Sequence, residues 1–164
     1  MKAKRRLLFG IYGAVVVLVA AVIWGIYLHA VIGSVRNYKA MTYSVAKGYF
    51  DQYENEFTLL KIMMEEDFYP LREPWIELGQ NINNNADNIS SERKEKYNNT
   101  LSKLPIVSVC GSEEYIAFVI ARWGFAGDTQ GKAIVWYRDG RPVEVSKNTN
   151  ITLGVEGWYY LHYR

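Results

Sequence analysis

The chain has 164 residues, 49% of them apolar and 22% charged, a globular balance that excludes a disordered tail or a low-complexity fibre. Its net charge of +2 joins two unlike parts: residues 1–36 hold five Lys or Arg and no acid, whereas residues 37–164 hold 14 basic against 17 acidic residues. The basic excess is confined to one end, so charge gives no argument for nucleic-acid binding, and the remainder of the chain amounts to one small domain.

From Leu7 to Leu28 there is no Asp, Glu, Lys or Arg. At ~1.5 Å per residue a helix over this stretch reaches roughly 33 Å, enough for a ~30 Å hydrocarbon core. The pattern predicts a transmembrane helix over 7–28, preceded by a basic start at 1–6 that carries Lys4, Arg5 and Arg6. Tyr12, Trp24 and Tyr27 stand towards its ends, where amphipathic rings favour the headgroup region. More basic residues precede the span than come after it, which sets the amino terminus in the cytoplasm and the remainder on the extracytoplasmic side, periplasmic or at the cell surface. A cleaved secretory signal shares this outline, with a cut after Gly33, but its apolar region runs ~7–15 residues, and this longer one reads as an uncleaved anchor.

Met41, Val45, Tyr49, Tyr53, Phe57, Leu60, Met64 and Phe68 recur every three or four residues, and no proline occurs before Pro70. This predicts an amphipathic helix over 34–69 that continues the membrane helix, with Gly33 and Gly48 as candidate breaks. Residues 70–104 change character: Pro74 and an Asn-rich run from Gly79 read as an irregular connector, with a short helix over Ser91–Leu104. Residues 105–164 carry short β-rich runs between turn residues, predicting an antiparallel sheet of four or five strands. These are Ile106–Cys110, Tyr115–Trp123, Ala133–Arg138 turning through Asp139-Gly140 into Pro142–Ser146, and Trp158–Tyr163. Alternation puts Ala133, Val135 and Tyr137 on one face and Ile134, Trp136 and Arg138 on the other, both apolar, so a helix should cover one face and something else the second. The fold class is α+β.

Chemistry-bearing motifs are sparse. Ala126–Ala133, AGDTQGKA, departs from the phosphate-loop pattern at its first glycine and at its hydroxyl position, and it enters a strand rather than a helix, so no nucleotide is expected. His29, His162 and the single Cys110 supply no zinc pattern, and no cofactor or metal is expected. Cys110 has no intramolecular disulfide partner and reads as a packed strand residue. The carboxylates Glu65-Glu66-Asp67 and Glu113-Glu114 read as solvated, so a catalytic role is not expected.

Aromatic density is the feature that stands out, with ten rings in the last 60 residues. Alternation places Trp158, Tyr160 and His162 on one face of the final strand. Trp123, Trp136, Trp158, Tyr160 and His162, rimmed by Arg122, Arg138 and Asp128, therefore form a candidate interaction surface, weighed against a tyrosine-filled core.

The order basic start, apolar helix, amphipathic helix, connector and sheet resembles type IV pilins and pseudopilins. That resemblance implies a filament or secretion-system subunit that self-assembles. A pilin-type cut after Gly10 would leave Ile11 first and Val15 where that family carries glutamate, and the first glutamate of this chain is Glu54. The leading expectation is a single-pass protein bound to membrane lipid, presenting an extracytoplasmic α+β domain to a protein partner in an envelope-associated assembly. A glycan-binding module, requiring exposed coplanar rings, and an envelope enzyme, requiring His162 or carboxylates in a cleft, are further alternatives.

Overall fold

The computed structural model describes residues 2–68, 76–78, 89–124, 130–142 and 148–163. Helices α1 (Lys2–Ala40) and α2 (Tyr43–Phe68) are followed by β1 (Ile76–Leu78), α3 (Ser91–Leu101), β2 (Ser108–Gly111), β3 (Tyr115–Trp123), β4 (Gln130–Tyr137), β5 (Thr149–Thr152) and β6 (Trp158–Tyr163). The chain forms two compact units, residues 1–36 and 37–164.

The first unit is helix throughout its described length, and the helix passes Gly33 unbroken. Val15–Ala40 is long and apolar enough to cross a membrane, and none of its apolar window is buried. Charge is absent over this stretch until Arg36, and apolar residues lie all round the helix.

The second unit is an α+β domain with a fully antiparallel sheet in the order β1-β2-β3-β4-β6-β5. Alternation gives the sheet two apolar faces, as the sequence predicts. Ile116, Phe118, Ile134, Trp158 and Tyr160 join Phe50, Phe57, Leu60, Met63 and Met64 of α2 in one core; Cys110, Ala117, Val119, Ala133, Val135, Tyr137 and Leu161 form a second cluster. The helix thus covers one face. α3 starts at the cap Ser90, whose side chain accepts from the Arg93 N–H, and buries Tyr97, Thr100 and Leu101. Arg93 ties it to the end of α2 through Glu66 (2.6 Å), Asp67 (2.8 Å) and the Met63 carbonyl (3.3 Å).

Four readings are corrected. The helix predicted over 34–69 is broken at Met41–Thr42, not at Gly33 or Gly48, and it kinks at Tyr53 (φ −121°, ψ 25°). Its stripe in the first half lies one residue later: Ala46 and Phe50 are buried while Val45 is 38% exposed. Tyr49 and Tyr53 stay partly buried, packed against the same core. β4 is paired along one edge with β3 and along the other with β6, so neither edge is open to the returning arm predicted over Pro142–Ser146. Asp139-Gly140 still turns the chain, with Gly140 at φ +69°, but Pro142 offers no N–H to a ladder, whereas β6 brings six paired residues and two core rings. Two strands lie outside the predicted set. β1 falls inside the predicted connector, and β5, Thr-Asn-Ile-Thr, is an exposed edge with little apolar alternation to reveal it. Residues 69–75, 79–88 and 143–147, which include most of the Asn-rich run and most of the predicted returning arm, lie outside the described residues.

The turn into β6 depends on Gly157, at φ +79°, where an added Cβ would meet the Trp136 indole nitrogen at 3.0 Å and the Tyr137 carbonyl at 3.2 Å. Gly157→Ala should therefore lower the unfolding free energy by about 2 kcal/mol, from the left-handed backbone and the crowding together. Gly154→Ala, at φ +89° in open space, should cost about 1 kcal/mol. Denaturant titration of both variants checks this; equal losses would contradict the packing part of the argument.

Candidate functional site

The structure divides the predicted surface residues. Trp158 is 5% exposed and sits among Phe50, Phe57 and Phe118, with ring centroids at 5.0, 6.3 and 5.7 Å. Tyr160 is equally buried, edge-on to Tyr43 at 6.0 Å. Both rings pack against the helical layer, which corrects their placement in an exposed platform. Trp136 is half-buried under the Lys61 ammonium (4.3 Å from the ring centroid) and the Arg138 guanidinium (5.8 Å). Arg138 also donates to the Glu113 carbonyl at 2.9 Å and pairs with Glu65 at 3.5 Å.

His162 belongs to a different cluster, at the break between α1 and α2. Its Nε2 lies 2.7 Å from the Tyr38 hydroxyl, which is also 3.2 Å from Gln130 Oε1, so the imidazole tautomer decides which of the two receives the hydroxyl proton. Beside it the Lys132 ammonium donates to the Tyr38 carbonyl at 2.6 Å and lies 4.4 Å from the centre of the Tyr38 ring. Burial holds the Lys132 pKa below the usual lysine value. Tyr38 and Lys132 are missed by the sequence reading. The available signal is the lone charge in Gly131-Lys132-Ala133-Ile134-Val135-Trp136, on the face of Ile134 and Trp136.

The second sheet face carries a cavity of about 260 Å³. Its floor is small and apolar, from Cys110, Ala117, Val119 and Leu161; Tyr115 and Tyr163 flank it, and Arg122 and Asn148 supply polar groups. Arg122 reaches this face through a bulge between Val119 and Ala121, which shifts the alternation by one residue. Tyr163 lies across Gly131, where a side chain of any other residue would meet the ring. The half-buried Trp123 ends the same strand, while Asp128 of the predicted rim lies outside the described residues. The buried Cys110 thiol lies 3.7 Å from the Ala117 carbonyl. His162 is on the opposite face and cannot activate it.

A tyrosine row edges this face: Tyr115, Tyr137 and Tyr159 follow one another at 6.0 and 5.6 Å. Burial raises the Tyr115 pKa and pushes Tyr137 up to about 12. An unfolded phenol ionises near 10, so the stabilisation that Tyr137 contributes is whole below that pH and lost as pH rises to about 12. Buried Tyr97 and Tyr160 act in the same sense, and Lys132 in the opposite one, since its folding penalty shrinks as pH rises. The expected outcome is alkaline unfolding between about pH 10 and 12, with Tyr137→Phe removing on the order of 2 kcal/mol of that dependence. Phenolate absorbance followed with denaturant titration reads it; a pH-independent stability in this range would contradict it.

Among the described residues no group of three or more His, Cys, Asp or Glu converges as metal ligands would. The arrangement offers an apolar recess with phenol, amide and guanidinium groups at its edge, suited to receiving a side chain or a small apolar group. No family model, characterised protein or solved structure matches this chain.

Proposed function

We propose that this is a single-pass membrane-anchored protein that presents a small extracytoplasmic α+β domain to a protein partner in an envelope-associated assembly. The observation that carries the reading is the apolar helix within Val15–Ala40: none of its apolar window is covered by its own chain, and Val16, Val17, Leu18, Ile23 and Ile26 are each more than 60% exposed. Such a surface is stable in lipid and unstable in water. The basic residues ahead of it, Lys2, Lys4, Arg5 and Arg6, support an amino terminus on the cytoplasmic side. With one sheet face occupied by α2, the partner-facing features are the second-face recess and the Arg122–Trp123 end of β3.

Self-assembly in the manner of a pilin is the second reading, favoured by the uninterrupted α1 followed by a helix packed on an antiparallel sheet. A photo-activated cross-linker at Trp123 in the full chain, in its own membranes, separates the two. One discrete adduct with a different protein is the expected result. A ladder of self-adducts moves the assignment to a filament subunit, and no adduct at Trp123 or at Tyr163 overturns the interaction surface.

A further inference from the structure

The break between α1 and α2 falls in Asn-Tyr-Lys-Ala-Met-Thr-Tyr-Ser-Val, residues 37–45, which contains neither glycine nor proline. A continuous helix would join Thr42, Tyr43, Ser44 and Val45 N–H groups to the carbonyls of Tyr38, Lys39, Ala40 and Met41. Three of those carbonyls have other donors. The Lys132 ammonium takes Tyr38 at 2.6 Å, the Thr42 N–H takes Ala40 at 2.9 Å, and the Tyr160 hydroxyl takes Met41 at 3.3 Å. On the other side of the break, Thr42 Oγ1 accepts from the Val45 N–H at 3.4 Å and caps α2. The Tyr43 hydroxyl is carried away to the Thr152 carbonyl at 3.1 Å.

Two of the three substitute donors come from the sheet, on the adjacent strands β4 and β6. Local sequence therefore permits the helix to run on, and the sheet interrupts it. Lys132 is the costly part: it is 8% exposed and has no carboxylate partner among the described residues, only a helix-end carbonyl and a ring face. An ammonium at the carbonyl end of a helix is favourable, yet an apolar residue of equal volume would serve the core at lower desolvation cost.

The geometry points to a latched joint: while Lys132 and Tyr160 hold the Tyr38 and Met41 carbonyls, α1 and α2 are separate helices, and when both are released the backbone closes into one helix through residues 37–46. The latch has two settings because each of these carbonyls accepts either the sheet donor or the amide four residues on. This goes beyond the proposed function and is independent of what the domain binds.

The test uses the full chain in phospholipid nanodiscs, with residue-specific magnetic resonance at Met41 and Thr42 and amide exchange at Tyr43 and Ser44. In the natural sequence Met41 and Thr42 should show non-helical Cα shifts. In the double variant Lys132→Met, Tyr160→Phe those shifts should become helical, and exchange at Tyr43 and Ser44 should slow about tenfold, with β3 and β4 amides unchanged. Shifts that stay non-helical would overturn the proposal, because Thr42 alone would then set the break; faster exchange at Tyr43 and Ser44 would do the same. Should the double variant lose β3–β4 protection, Lys132→Gln and Tyr160→Phe are read singly. Partial movement towards helical shifts in each supports the latch, and none in either overturns it.

Discussion

Trp158→Ala should cost the domain about 3–5 kcal/mol, read as a lowered denaturant midpoint of the full chain in micelles. The indole fills the space where α2 meets the sheet, with Phe50, Phe57 and Phe118 all within 6.3 Å of its centre. Three large neighbours on two different elements cannot all move into the space left, so the cavity term adds to the lost burial. Since domains of this size are stable by about 5–15 kcal/mol, the variant should sit near the edge of folding. Trp24→Ala is the control: Trp24 is 62% exposed on α1, and its removal should leave the midpoint unchanged. A loss below about 1 kcal/mol for Trp158→Ala would mean that α2 is not held by this cluster.

Arginine at both Val19 and Val22 should abolish membrane retention. Both side chains lie within the apolar window and both are about half exposed. Each arginine near the centre of a span costs about 2.5–3.5 kcal/mol of insertion, so the pair removes roughly 5–7 kcal/mol. The expected result is a protein that leaves the membrane fraction in an alkaline wash while the domain of residues 37–164 keeps its unfolding midpoint. Retention equal to that of the natural sequence would show that this helix is not the anchor.

Much of this architecture is legible in the residues, for reasons that differ by element. The apolar helix is plain because its signal is composition over a long run, which needs no tertiary partner to read. The two-faced sheet is plain because period-two alternation survives in β4, in β6 and in β3 as far as Ile120. Misreadings arise where a distant partner decides. At the break at Met41–Thr42 the Tyr38 and Met41 carbonyls are held by Lys132 and Tyr160, about 90 and 120 residues further on, and Thr42 as a cap residue is the local signal. Asp139-Gly140 signals a turn correctly, but which strand then lies beside β4 is a competition that Trp158 and Tyr160 win through burial. In the candidate surface, ring identity was visible and ring exposure was not. Trp158 and Tyr160 face α2, and the recess instead draws on Cys110, Tyr115 and Tyr163, where small residues such as Ala117 and Gly131 leave room. A row of small residues opposite tyrosines on one sheet face is the signal that would have located it.

The most direct test of the anchored, extracytoplasmic reading is protease accessibility of the full chain, tagged at both ends, in sealed right-side-out and inside-out vesicles. The account predicts an alkali-resistant protein whose carboxyl-terminal tag is digested only in right-side-out vesicles and whose amino-terminal tag is digested only in inside-out ones. Digestion of both tags from the same side, or release of the chain by alkali, would contradict it.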